Sequence, residues 1–308
     1  MDVGIVHRLA GTKAKGGRFL SGYSLLFRRS DSIHVFRSSR YPAFMPLEIL
    51  YRDEHIVAIN KPSGLLVHRS EIDRHETRFV LQLLRNQIGQ RVYPVHRLDK
   101  PTSGVLVFAL SSETASRMVE QWRERSVEKR YLAIVRGYMP EFTHLDYAMR
   151  PPVDKYARNE VEKPPQEAIT DFRLLSTVEI PVEIDKYPQS RYSLVEAMPK
   201  TGRKHQIRRH LKHLSHPIIG DARYGKGRHS RYFRDHMDAG RLLLHAWQLS
   251  IQHPYTDEPL TFTAPLDDIF SRLIERFQWC DALTDPQLMP RSTISDTQAT
   301  TTTPPQPE

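Results

Sequence analysis

The sequence contains very little cysteine and no long apolar run. Cys280 is the only cysteine among 308 residues, which excludes a disulfide framework and a cysteine-built zinc site and favours a reducing compartment. No stretch of 18 consecutive apolar residues is present, so a membrane-spanning helix is excluded. The chain also lacks internal repeats. Together these absences predict a globular protein of the cytoplasm.

Acidic residues are scarce at the N-terminus. Residues 1–44 carry eight Lys or Arg against two Asp, and their one apolar stretch, Phe19–Phe27, is interrupted by Ser and Gly. We expect a basic, disordered extension here; its composition also resembles a transit peptide, without a clean amphipathic period. Residues 281–308 are rich in Thr, Pro and Gln, which predicts a disordered polar tail. The folded domain is expected over residues 45–280.

Acidic residues are absent from residues 200–212. This segment holds six cations, Lys200, Arg203, Lys204, Arg208, Arg209 and Lys212. Solvated helix faces usually mix charges, so a run of cations favours a phosphate-rich ligand. Apolar spacing predicts a helix over residues 203–214 with Ile207 on its buried edge. Arg208, next to Ile207, is expected to reach inward to a carboxylate, whereas Arg209 and Lys212 face outward.

Four histidines lie in or beside the same run, at positions 205, 210, 213 and 216. Within the predicted helix, only His210 and His213 have i, i+3 spacing, and no acidic residue is close. Six cations would also repel a divalent ion. We therefore expect no metal site.

An ionisable cluster, His96-Arg97-Leu98-Asp99-Lys100, lies between two apolar stretches typical of strands. Pro101 and Gly104 follow it and indicate a loop. By itself such a cluster is most often a turn with solvated charges. Tyr131, at the start of a predicted strand, is likewise most often a packing aromatic, but beside a cationic cleft it can stack on a base.

Predicted strands outnumber predicted helices. Strands are expected near residues 48–51, 56–60, 131–135, 168–175, 192–197 and 247–263, helices near 77–88, 112–122, 203–214 and 266–279, and an irregular connection over 139–167. Most of the strands connect locally. The pattern therefore predicts an α+β fold, with one mixed, largely antiparallel β-sheet and flanking helices.

Five ordered segments resemble the RluA family of pseudouridine synthases. They are Asn60–Gly64, His96–Asp99 with Pro101–Gly104, Lys129–Tyr131, Thr201–Arg208 and His216–Asp221, and the resemblance spans residues 47 to 279. Within that family, the stretches Leu65–Ser70, Lys155–Arg158 and Arg208–Leu214 are most similar to the members that modify uridine 65 of tRNA. Residues 1–44 depart from the family pattern.

The resemblance implies the pseudouridine synthase fold and isomerisation of uridine to pseudouridine in tRNA, at uridine 65, by base flipping. It implies that Asp99 is the nucleophile and that Arg208 keeps Asp99 ionised. Tyr131 corresponds to the aromatic residue that packs on the flipped base and assists proton transfer at C5. Arg97 corresponds to the residue that occupies the vacated space, and Ile207 to the apolar residue beneath the base. Further RNA contacts are expected from His96, Arg203, Lys204, Arg209 and Lys212.

Two other functions stay open at this point. A relative with the same site could act on ribosomal RNA, and a non-catalytic RNA-binding module would explain the basic clusters alone. The isomerisation changes neither redox state nor atom count, so no cofactor is expected. The expected partner is RNA, tRNA first, bound by a monomeric chain without membrane contact.

Overall fold

One ten-stranded sheet organises the residues that the computed structural model describes, which are 46–69, 76–151 and 164–284. The strands are β1 (Glu48–Arg52), β2 (Ile56–Lys61), β3 (Tyr93–Pro94), β4 (Ser103–Ala109), β5 (Glu128–Arg136), β6 (Phe142–Asp146), β7 (Ile169–Ile180), β8 (Ser190–Pro199), β9 (Leu244–Gln252) and β10 (Pro259–Thr263). The helices are α1 (Val80–Ile88), α2 (Ser112–Arg123), α3 (Gln206–His213), α4 (Gly227–His236) and α5 (Asp268–Arg276). Within the described ranges, none of the helices has the length and apolar character needed to span a bilayer.

The strand order along the sheet is β1-β2-β4-β9-β5-β8-β7-β6, with β3 added to β4 and β10 added to β9. Strand pairs are antiparallel except β4 and β9, which run parallel at Ser103 and Gly104. The predicted mixed, largely antiparallel sheet with flanking helices is confirmed. A short parallel contact therefore joins the early strands to the later ones at the middle of the sheet.

Side chains alternate across β2, and this alternation places α1 and α2 on opposite faces of the sheet. Val57 and Ile59 pack with α1, whereas Ile56 and Ala58 pack with Met118 of α2. A strand that is buried on both faces belongs at the interior of a sheet, which is where β2 lies.

The largest apolar cluster joins β5, β8 and β9 to α3, α4 and α5. From α3 it takes Ile207 and Leu211, and from α5 it takes Phe270, Leu273 and Ile274. Because Ile207 is fixed in this cluster, the packing of α3 also sets the direction of the residue that follows it.

Local signals place two helix ends where the sequence predicts them. Gly89 ends α1 in the left-handed conformation, with φ of 68°. Ser111 Oγ accepts a hydrogen bond from Thr114 N at 3.0 Å and caps α2. The first turn of α1 begins at Val80, three residues later than expected.

One element prediction is wrong, and one helix was not predicted. The connection expected to be irregular over residues 139–167 contains β6, which pairs with β7. β6 is an edge strand with Phe142 exposed, so apolar alternation is weak there. The sequence also misses α4, whose only fully buried apolar side chain is Phe233.

The start of one further helix also differs from the predicted one. The helix expected from residue 203 begins at Gln206, because His205 adopts a φ of 58° that interrupts a helix. Past residue 280 the described chain continues through a 3-10 turn, Asp281–Leu283. Residues 1–44, the Lys155–Arg158 stretch, Ser70 and residues 285–308 lie outside the described residues.

Candidate active site

A cavity of about 450 Å³ lies where the loop before β4, the first half of β5 and the segment leading into α3 meet. Eight of the ten residues predicted for the site line it: Arg97, His96, Asp99, Tyr131, Arg203, Lys204, Ile207 and Arg208. These residues are more than 100 positions apart in the chain at their extremes. The fold therefore assembles one site from three separate segments.

The loop that carries Asp99 is held by Lys61, whose side chain is fully buried at the end of β2. Lys61 Nζ donates hydrogen bonds to the carbonyl oxygens of Pro62 (2.8 Å), Leu65 (2.9 Å) and Lys100 (3.1 Å). Burial lowers the pKa of Lys61 to about 7. One amine thus ties the loop at residue 100 to the turn after β2, which makes the position of Asp99 rigid.

The first residues of β4 fix the other side of the same loop. Ser103 Oγ lies 2.8 Å from Nδ1 of the fully buried His245. At Gly104 φ is 110°, and a Cβ atom there would lie 2.1 Å from the carbonyl oxygen of Ala246. Only glycine allows such an approach. The parallel contact between β4 and β9 therefore anchors the chain four or five residues after Asp99.

Arg208 lies between two carboxylates. Its Nη1 donates to Asp99 Oδ2 at 2.9 Å, while Nε and Nη2 donate to the two oxygens of Asp221 at 2.7 and 3.0 Å. The pairing of Arg208 with Asp99 that the sequence predicts is confirmed. Burial alone would lower the pKa of Arg208, but the hydrogen bonds and charges of Asp221 and Asp99 outweigh it and raise that pKa. The guanidinium is a permanent cation facing Asp99.

Asp221 holds Arg208 in place. Its Oδ1 also accepts hydrogen bonds from the backbone N–H groups of Arg223 and Tyr224, both at 2.9 Å. Burial would raise the pKa of Asp221, but these donors together with Arg208 lower it, so the carboxylate is ionised. Because Asp221 takes Nε and Nη2, Arg208 offers one nitrogen to Asp99 and leaves the second oxygen of Asp99 open.

Tyr131 points into the cavity from β5. Its strand neighbours at the same level are Ala197 of β8 and Ala246 of β9, whose small side chains leave room for the ring. Burial, followed by the charge of Asp99, raises the pKa of Tyr131, so the phenol is protonated at neutral pH. Among the described residues, none forms a hydrogen bond with the Tyr131 hydroxyl. That hydroxyl is available to a ligand.

Two histidines of the cavity are uncharged near neutral pH. His96 Nε2 accepts a hydrogen bond from Val107 N at 3.0 Å, and burial together with the charge of Lys129 lowers its pKa to about 3. His205 lies with Nε2 3.8 Å from Asp99 Oδ1, and burial lowers its pKa as well. His96 is therefore a fixed wall residue and not a cation.

Positive charge dominates the cavity. Its lining includes five Lys or Arg side chains, at positions 97, 129, 203, 204 and 208, and a single acidic one, Asp99. Arg97 and Lys204 are exposed at the rim. A deep site with this balance attracts a polyanion and leaves one carboxylate at its centre.

Two predicted RNA contacts lie outside the cavity. Arg209 Nη1 donates to the backbone carbonyl of Arg150 at 3.0 Å, and Lys212 lies 5.9 Å from the ring centre of Tyr224. Neither side chain lines the cavity, and Lys212 lies over the same Tyr224 ring as Arg208, so it does not point to the opposite side of the helix as expected. Within the described ranges, no group of three or more His, Cys, Asp or Glu side chains is arranged to hold a metal ion.

Four important residues are missing from the sequence-based set: Lys61, Trp122, Lys129 and Asp221. Lys61, Lys129 and Asp221 belong to the segments that carry the family resemblance, so a signal for them was present. Trp122 fits the apolar period of α2 and is expected only as a core residue. Its place in the cavity wall depends on how α2 packs.

Comparison with known proteins agrees with this geometry. Residues 55–213 match the RNA pseudouridylate synthase family. The protein named tRNA pseudouridine synthase C of Vibrio parahaemolyticus is 54% identical over 239 residues, 77% of this chain and 97% of the relative. The protein of the same name from Haemophilus influenzae is 52% identical over 235 residues, which are 76% of this chain and 98% of the relative.

A solved structure is similar over the same region. Human RNA Pseudouridylate Synthase Domain Containing 4 is 27% identical and superposes with a TM-score of 0.56, covering 75% of this chain and 93% of that one. The sheet order, the cavity and the sequence relatives lead to one assignment. The chain belongs to the RNA pseudouridylate synthase family.

Proposed function

We propose that this protein isomerises uridine to pseudouridine in tRNA and that Asp99 is its nucleophile. The observation that carries the proposal is the single carboxylate in a cationic cavity, paired with Arg208 at 2.9 Å. The relatives that are about half identical over most of their length are named as tRNA enzymes, which supports tRNA as the substrate. Uridine 65 is proposed as the target, on the three stretches that resemble enzymes of that specificity.

The reaction begins with the target uridine turned out of its stack, at a cost of a few kcal/mol. Arg97, exposed at the rim, occupies the space that the base leaves. The carboxylate of Asp99 then forms a covalent adduct with the nucleotide, and the bond between N1 and the anomeric carbon breaks. The uracil turns, C5 bonds to the anomeric carbon, and the bond between Asp99 and the nucleotide breaks with its electron pair returning to the carboxylate. C5 then loses its proton and N1 gains one. Atoms and electrons balance without a cofactor.

Tyr131 and Ile207 hold the base while it turns. Tyr131 and Ile207 both line the cavity, and Ile207 is 7% exposed. The protonated phenol of Tyr131 has a free hydroxyl, so it acts in the proton transfer at C5 as a hydrogen-bonding relay. The neighbouring cations, Arg203 and Lys204, bind the RNA backbone.

Tritium release tests the reaction. Unmodified tRNA labelled with tritium at uridine C5 should lose label to water, because C5 exchanges its hydrogen for a carbon bond. The Asp99→Asn variant should release none and still bind tRNA with an affinity near that of the wild type. If correctly folded protein releases tritium from neither tRNA nor ribosomal RNA, the proposal is overturned. If Asp99→Asn releases tritium as the wild type does, the role of Asp99 is overturned.

The position of the modified uridine is tested in cells. Pseudouridine mapping of tRNA from cells with and without the gene should show loss at uridine 65 alone. Loss in ribosomal RNA instead contradicts the tRNA assignment. We also propose that the protein acts as a monomer in the cytoplasm, where its single cysteine stays reduced.

A further inference from the structure

The cavity extends beyond the residues that the proposed reaction uses. Besides Asp99 and Tyr131, the lining of the cavity includes His96, Trp122 and Lys129. We call these last three residues the outer wall. None of the three takes part in bond breaking in the proposed reaction. Their side chains, two aromatic rings and an amine, can instead bind a base and an anion.

Trp122 gives the outer wall a fixed aromatic surface. Its ring stacks on His96, with ring centres 5.1 Å apart and planes inclined by 23°. His96 is itself held by Val107 N, so the pair is rigid. The other two tryptophans, Trp247 and Trp279, are 8% and 1% exposed, whereas Trp122 is partly exposed in the cavity. A rigid aromatic ring beside cations is the arrangement on which nucleic-acid bases stack.

Lys129 gives the outer wall an uncompensated charge. Its side chain is half-buried, and among the described residues no carboxylate lies within ion-pair distance of it. Burial, followed by the charges of Lys200 and Arg125, lowers the pKa of Lys129; Lys200 itself lies 3.5 Å from Asp171, and Arg125 pairs with Glu167. A half-buried ammonium group without a protein anion is stabilised when a ligand supplies one.

Lys129 and Tyr131 are two residues apart on β5, so their side chains are on the same face and about 7 Å apart along the strand. We propose that the outer wall binds the RNA nucleotide next to the flipped uridine. The base of that nucleotide stacks on Trp122 and its phosphate pairs with Lys129. This inference rests on the proposed function, because it takes RNA as the ligand and Tyr131 as the neighbour of the flipped base.

Tryptophan fluorescence tests the stacking. Titration of Asp99→Asn protein with unmodified tRNA transcript should quench the emission, because a stacked base quenches the one accessible tryptophan. The same titration of Asp99→Asn/Trp122→Phe protein should leave the emission of the two remaining tryptophans unchanged. Equal quenching in the two proteins, or none in either despite measured binding, overturns the inference.

An abasic substrate tests the subsite without altering the protein. Two transcripts are compared: one lacks the base on the 5′ side of the target uridine, and the other lacks the base on the 3′ side. One of them should raise KM roughly tenfold with the wild-type enzyme and leave kcat nearly unchanged, since base stacking contributes to binding in the ground and transition states alike. Trp122→Phe should be less sensitive to the same missing base. Wild-type KM unaffected by both transcripts overturns the inference.

Salt dependence tests the phosphate contact. For Lys129→Met, the slope of log K against log salt should decrease in magnitude by about 0.7 to 0.9, the value for one phosphate. Lys186→Met removes an exposed charge from the turn between β7 and β8, away from the cavity, and should leave the slope unchanged. Equal slopes in wild type and Lys129→Met overturn the contact. Wild-type tritium release separates these failures from failure of the proposed function.

Discussion

Arg208 is shared unequally between two acidic residues. Asp221 takes two of its nitrogens and Asp99 takes one, and the Asp221 side chain is 1% exposed against 18% for Asp99. The buried partner, Asp221, fixes the guanidinium, and the more open partner, Asp99, bonds to Arg208 through one oxygen only. Asp221 therefore positions the guanidinium that pairs with Asp99.

Arg208→Met should lower the free energy of unfolding by about 3–5 kcal/mol, because it leaves the buried carboxylate of Asp221 without its counter-charge. Urea denaturation measures this. Arg209→Met, one position along the same helix and bonded only to a backbone carbonyl, serves as the control and should change stability by less than about 1 kcal/mol. Similar values for the two variants would contradict the buried bridge.

Tyr131→Phe should lower kcat by a factor of about 10² or more and leave the melting temperature nearly unchanged. The hydroxyl has no hydrogen-bond partner among the described residues, so its removal breaks no bond of the folded state. Because the pKa of Tyr131 is raised, wild-type kcat should not fall through ionisation of this phenol up to pH 10. Single-turnover kinetics and differential scanning calorimetry give both quantities. A fully active variant would remove Tyr131 from the mechanism.

At the scale of elements, the contact between β4 and β9 decides where the Asp99 loop lies. Gly104→Ala should destabilise the protein by about 2–5 kcal/mol, because its Cβ atom meets a carbonyl oxygen and its φ is positive. Gly227→Ala is the matched control: it lies at the start of α4 with no atom within 4 Å of the added Cβ, and it should stabilise by about 0.4–1 kcal/mol. Thermal unfolding of both variants tests the contrast; a tolerated Gly104→Ala would contradict the close approach.

Elements with strong apolar periods could be predicted, and elements held by neighbours could not. β2 follows from its short continuous apolar run, α2 from helical spacing and the β9–β10 pair from alternation in their own residues. β6 is a half-exposed edge strand with weak apolar alternation. It is recognised as a strand from its pairing with β7 and not from its own sequence. The start of α3 depends on Gln206, whose side-chain oxygen accepts from Arg203 N and Thr201 Oγ1, contacts that no spacing rule predicts.

For the whole molecule, buried histidines predict acid sensitivity. Burial lowers the pKa of His229 and of His245 to about 4 from the ordinary 6.5. Below pH 6.5 the unfolded chain binds protons at these sites, whereas the folded protein does not until about pH 4. The free energy of unfolding should therefore fall with decreasing pH across this window, by about 1.4 kcal/mol per pH unit for each histidine, and be insensitive to them above pH 6.5.

Urea denaturation at pH 7, 6 and 5 measures that slope. His245→Asn should reduce the slope by the contribution of one proton, about 1.4 kcal/mol per pH unit. His236→Gln changes an exposed histidine and should leave the slope as in the wild type. A slope that is the same in all three proteins would show that His245 does not contribute.

The amino-acid sequence by itself determined the family, the sheet class and the pairing of Asp99 with Arg208, because these depend on short motifs and on apolar periods that each segment carries alone. Only the tertiary structure decided that Asp221 holds Arg208, that Lys61 ties the Asp99 loop through three carbonyls, and that Trp122 and Lys129 share the wall of the cavity. Each of these depends on which distant segments are brought within a few ångströms. That proximity is set by the packing of the sheet and its helices, and no local pattern records it.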